Sequence, residues 1–129
     1  MKPIQYEDAD REVRAVYDDI KAARGGADVT YFWKFIANHP PTLKRIWENL
    51  KVVMGPGALD PLTKELIYYA ISVSNNCAYC RASHGAAARN KGASDEMLAE
   101  VMAIVGLANE TNRLANGYDV EIDKEFVRN

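Results

Sequence analysis

The chain has 129 residues, 48% of them apolar, and its 16 basic and 18 acidic side chains leave a formal charge of −2. That length and composition suit one globular domain, residues 1–129, with a single core, and they exclude wholesale disorder. The near-neutral balance gives no general pull toward nucleic acid, no apolar run reaches the roughly 18 residues of a membrane span, and the start has no secretory apolar stretch, so neither partner is expected and a cytoplasmic location is.

The periodicity predicts helix nearly throughout. Val13, Val16, Tyr17 and Ile20 recur at helical spacing within residues 8–24, acidic at the start and basic at the end, until Gly25-Gly26 stops the run. Residues 31–37, Tyr-Phe-Trp-Lys-Phe-Ile-Ala, suit a strand by propensity. They have no pairing partner and end at Asn38-His39-Pro40-Pro41, so a short helix is expected, with Trp33, Phe35 and Trp47 in a core or a subunit contact. A third helix should begin at Pro41 or Thr42, bury Leu43, Ile46, Trp47, Leu50, Val53 and Met54, and end at Gly55-Pro56-Gly57. Asp60-Pro61 reads as the cap and first residue of a fourth, running to about Ser74. Asn75-Asn76 interrupts it, and Asn76 can cap a fifth helix carrying Cys77 to about Lys91. Beyond Gly92, Ser94 caps a sixth, through Met97, Leu98, Val101, Val105 and Ala108 to about Ala115. The tail from Tyr118 to Asn129 is weakly patterned and is expected to dock through Val120, Ile122 and Phe126. About six helices and no convincing strand predict an all-α fold.

The two cysteines, Cys77 and Cys80, form a Cys-x-x-Cys pair, with His84 four residues after the second. Two cysteines scattered at random in such a chain fall three apart with a chance of about 1.5%, so the spacing carries information. On one helix the three side chains share a face. With both thiols in or near a first turn, the unsatisfied backbone N–H groups favour a thiolate. An ordinary thiol is about 3% ionised at pH 7, and a shift of about two pKa units, worth about 2.7 kcal/mol, would make it about 75% ionised. The same spacing lets the pair close a disulfide without refolding. Glu65 stands roughly 60° around the fourth helix from Leu62, at the border of the apolar face. A carboxylate there can pass a proton to a histidine if the Asn75-Asn76 turn folds the two helices together.

Three uses of the pair stay open on these residues: a structural pair, a zinc site with Cys77, Cys80, His84 and Glu65 as ligands, and redox chemistry. Structural zinc usually brings a second Cys/His pair, whereas His39 stands alone beside prolines as a loop or packing residue, so no metal is expected and redox use is favoured. For Glu65 an interhelical ion pair with a lysine or arginine is the alternative to catalysis.

At these residues the sequence resembles the AhpD-like alkylhydroperoxidase family, within the carboxymuconolactone decarboxylase superfamily. The matching string is Glu65 followed by Cys77-Ala78-Tyr79-Cys80-Arg81-Ala82-Ser83-His84, a Glu-x11-Cys-x2-Cys-x3-His pattern. Agreement runs over roughly residues 40 to 115, including Asp60-Pro61, Gly92-Ala93-Ser94 and Asn112-Arg113-Leu114-Ala115. The resemblance implies an all-helical AhpD-like fold assembled as a homotrimer or homohexamer. It implies that Cys80 attacks the hydroperoxide, that Cys77 resolves the sulfenic acid into a disulfide, and that a dithiol donor reduces it. His84 would deprotonate Cys80, with Glu65 linked to His84 through water, and neither metal nor flavin cofactor would be needed. Well-known members carry a second histidine immediately before the second cysteine, where this chain has Tyr79, a poor base near neutral pH. The rival readings are a lactone decarboxylase, which needs no dithiol, and a redox-sensing or interaction subunit that uses the thiols without turnover.

Overall fold

Six α-helices and one short 3-10 turn supply the regular structure among residues 1–127, which are those the computed structural model describes. They are α1 (Arg11–Arg24), α2 (Tyr31–Ile36), α3 (Pro40–Met54), α4 (Pro61–Ser74), α5 (Ala78–Asn90) and α6 (Asp95–Gly117), with the turn at Lys124–Phe126. The expected all-α class is thus observed, and among the described residues no helix is long and apolar enough to cross a membrane. Arg128 and Asn129, the end of the expected tail, lie outside the described residues. The chain forms two compact units, residues 1–56 and 57–129.

In the first unit, Asp10 rather than Asp8 opens α1. Its carboxylate accepts the Val13 N–H at 2.9 Å, while Asp8 lies in a turn closed by its own N–H on the Gln5 carbonyl. Gly25 ends α1 in the left-handed region, φ 71°, where a Cβ would be strained. The stripe Val13, Val16, Tyr17 and Ile20 packs with Val29, Trp33, Ala37, Leu43 and Trp47 into one core, the two tryptophan rings meeting edge to face at 5.4 Å. Lys34, not Phe35, is the residue of α2 buried beside Trp33, and its ammonium is held by Gln5 and Asp28. Phe35 is half-exposed. Val53 is exposed rather than buried, because at 100° per residue it lies roughly 120° around α3 from Trp47.

In the second unit α4 packs against both α5 and α6. Close approach of α4 and α5 is possible because Gly85 and Ala88 carry little side chain: a Cβ at Gly85 would stand 3.2 Å from the Tyr69 ring. Gly92, at φ 100°, ends α5, and the Ser94 hydroxyl accepts the Met97 N–H at 3.1 Å to open α6. α6 runs two residues past the expected end, through Gly117. The tail does not dock as expected: Val120, Ile122 and Phe126 are all exposed. The Val120 N–H closes back on the Ala115 carbonyl with Asp119 left-handed at φ 50°, so α6 ends in a closed turn and the apolar residues after it stay exposed.

Candidate active site

The link between α4 and α5 is only three residues long, and every backbone donor in it is used. The Asn75 N–H bonds the Ile71 carbonyl, the Asn76 N–H bonds Val73, and the Cys77 N–H reaches back to Ser72 at 3.0 Å. This closes α4 in the six-to-one pattern that needs a left-handed residue, and Asn76 supplies it at φ 55°. Asn76 therefore ends α4 and does not cap α5, contrary to the sequence expectation. Cys77 is the cap: its Sγ accepts the Cys80 N–H at 3.2 Å. The physical reason is competition. Asparagine is equally suited to a cap and to a left-handed turn, and the open carbonyls at the end of α4 claim it first.

Cys77 is thereby pinned at both ends, through its N–H to α4 and through its sulfur to α5. Cys80 sits one turn inside α5, and the two sulfurs are joined as a disulfide, with Cα atoms 5.3 Å apart. Both cysteines are half-buried beside the positive end of the α5 dipole.

His84 follows Cys80 by four residues on the same helix, which sets the two on one face. Its Nδ1 lies 2.7 Å from Glu65 Oε2, a direct hydrogen bond where a bridging water was expected. The close α4–α5 approach leaves no room for that water. The Glu65 side chain is 9% exposed, more deeply placed than its border position on the helix implied. Its other oxygen, Oε1, takes the Lys91 ammonium at 3.1 Å. An ionised carboxylate only accepts, so the imidazole must donate from Nδ1, which leaves Nε2 as the basic nitrogen. The Tyr68 ring stacks on the imidazole at 3.6 Å, 16° from parallel, and fixes its plane.

Both proposed relay residues, Glu65 and His84, are thus brought together, and the ion pair to a lysine considered for Glu65 is present as well. His39 stands outside this site and caps α3 instead, its Nδ1 near the Thr42 N–H at 3.3 Å. Tyr79 projects at 43% exposure. Among the described residues no three His, Cys, Asp or Glu side chains are grouped to hold a metal ion. The structure adds two residues to the site that the sequence motif lacks, Lys91 and Tyr68. Lys91 lies seven residues, or two turns, beyond His84 on one face of α5, and Tyr68 lies three beyond Glu65 on α4. Spacing sets each on a face of its own helix, and the packing of α4 against α5 makes the contacts.

The sequence profile of the Carboxymuconolactone decarboxylase family matches residues 40–120. Among solved structures the chain is similar to the alkylhydroperoxidase AhpD core from Rhodospirillum rubrum, at 46% identity and a TM-score of 0.88, with 100% of this chain and 99% of that one covered. It is also similar to "uncharacterized protein 4 in cox locus" of Paracoccus denitrificans, 40% identical over 52 residues, which are 40% of this chain and 47% of that protein. The chain thus spans about half the length of that curated relative.

Proposed function

We propose that this chain, which belongs to the carboxymuconolactone decarboxylase family and has an AhpD-like fold, reduces hydroperoxides with its own thiols. The supporting observation is the disulfide at the head of α5 on the same helix as a histidine anchored to a buried glutamate. In the reduced protein the free Nε2 of His84 takes the Cys80 proton. The thiolate attacks the outer oxygen of the hydroperoxide, the O–O bond breaks, and the leaving alkoxide takes a proton to become an alcohol, with Cys80 left as the sulfenic acid. The Cys77 thiol displaces water from that acid to form the Cys77–Cys80 disulfide. A dithiol donor returns two electrons and two protons and is itself oxidised to a disulfide. A cycle fed this way fits a reducing compartment such as the cytoplasm.

The proposal includes self-association into a trimer or hexamer. A single chain leaves Ile67 and Ile71 on α4 and Ile104, Leu107 and Leu114 on α6 exposed, and these two helices pack together, so their apolar side chains are available to a second copy. Light scattering measures the assembly directly.

Intact-mass measurement after stoichiometric peroxide tests the chemistry. Reduced wild type is expected to lose two hydrogens, and Cys77→Ser to keep an added oxygen on Cys80. Oxygen on Cys77 in Cys80→Ser, with Cys80 inert, would reverse the two roles. Oxidation without repeated turnover on a dithiol donor would leave a redox sensor. Lactone decarboxylation surviving loss of both cysteines would instead favour a lyase.

A further inference from the structure

We infer that Lys91 is a positioning residue for the thiol chemistry, acting through Glu65 to fix the tautomer of His84, a role that rests on the relay proposed above. Glu65 divides its carboxylate between two groups of one helix: Oε2 faces the imidazole at 2.7 Å, and Oε1 faces the Lys91 ammonium at 3.1 Å. The carboxylate is 9% exposed and the lysine side chain 38%, so the lysine spans from the buried oxygen to solvent. Lys91 is also the residue that closes α5, where a cation is favoured by the helix dipole, and its backbone N–H is fixed on the Ala88 carbonyl. The ammonium is thereby delivered from a fixed point.

Holding Oε2 in place decides which imidazole nitrogen bears the proton. A Glu65 carboxylate released at Oε1 could turn Oε2 away from Nδ1, and an imidazole without that acceptor has no fixed place for its N–H. With the Lys91 ammonium on Oε1 the carboxylate is held with Oε2 toward the imidazole, which then presents its N–H from Nδ1. The lone pair is then confined to Nε2, the nitrogen that the relay needs for the Cys80 proton. Tyr68, stacked on the ring, holds the plane but has no say in which nitrogen bears the proton. Lys91 therefore supplies something that packing cannot. Its absence from the sequence motif is understandable, because it touches neither sulfur nor imidazole.

The test reads the tautomer directly. Long-range nitrogen–proton NMR of the reduced protein at about pH 8, where histidine is mostly neutral, distinguishes Nδ1–H from Nε2–H in His84. Wild type and Lys91→Arg are expected in the Nδ1–H form, and Lys91→Met as a mixture. In peroxidase assays Lys91→Met is expected to lose about tenfold in kcat with KM unchanged, and Lys91→Arg to recover most of it. An unchanged tautomer in a folded Lys91→Met protein overturns the inference, as does a kcat equal to wild type. Lys91→Ala, which likewise leaves Oε1 without a donor, takes the place of Lys91→Met if that variant does not fold, with the same two outcomes. A wild type without peroxidase activity would remove the proposed function, while the spectra would still decide what Lys91 does to His84.

Discussion

Reducing the disulfide separates a redox pair from a structural staple, because the loop it closes is so short. Cys77 and Cys80 are three residues apart, so the cross-link restrains only a four-residue ring of the unfolded chain. The loop-entropy relation then gives about 2 kcal/mol of stabilisation at 25 °C. The capping contact is expected to survive reduction, since the Cys77 sulfur still stands where it accepts the Cys80 N–H. A loss of about 2 kcal/mol is small beside the roughly 5 to 15 kcal/mol that holds a domain of this size. The reduced protein is therefore expected to stay folded, with its helical far-UV signal unchanged in buffer and its urea midpoint lowered. Cys77→Ser should match the reduced wild type, because serine is itself a good cap, whereas Cys77→Ala should lose about 1 kcal/mol more. Urea unfolding of the oxidised, reduced and mutant proteins measures all three. Collapse of the helical signal on reduction, or a loss of 5 kcal/mol or more, would refute the reasoning and make the bond a staple.

Two further outcomes follow from the packing. Burial, helped by the negative charge of Asp28, pushes the Tyr17 phenol up to about 12, and its O–H donates to the Ile4 carbonyl at 3.0 Å. A raised folded value means the neutral phenol is favoured in the folded state. That stability is full below about pH 10 and is lost as pH rises toward 12, amounting to roughly 3 kcal/mol. Tyr17→Phe should cost about 1 kcal/mol near neutrality and flatten the loss of stability between about pH 10 and 12, read by denaturant titration at each pH; an unchanged slope there would count against a buried, neutral phenol. Gly85→Ala places a Cβ 3.2 Å from the Tyr69 ring, so about 1 to 3 kcal/mol of overpacking opposes the roughly 1 kcal/mol that alanine gains in a helix. The variant should be less stable in urea, and a more stable one would mean that α4 and α5 are not in tight contact there.

The local sequence determined the six helices and most of their ends. Apolar spacing of 3.6 is readable without any neighbour, and Asp60-Pro61, Gly92 and Ser94 act within one turn of themselves. The Cys77, Cys80 and His84 face was legible for the same reason, since one helix carries it. What the sequence left undecided were places where two local uses of a residue compete or where two helices meet. Asn76 suited a cap and a turn equally, and the carbonyls of α4 decided for the turn, which moved the capping role to Cys77. The tail's apolar residues suggested docking, yet Val120, Ile122 and Phe126 stay exposed beyond the left-handed turn at Asp119. The direct Glu65–His84 bond and the Lys91 contact were settled by the depth of the α4–α5 approach at Gly85. Distances across two helices depend on their separation and rotation, and no periodicity within either helix contains those.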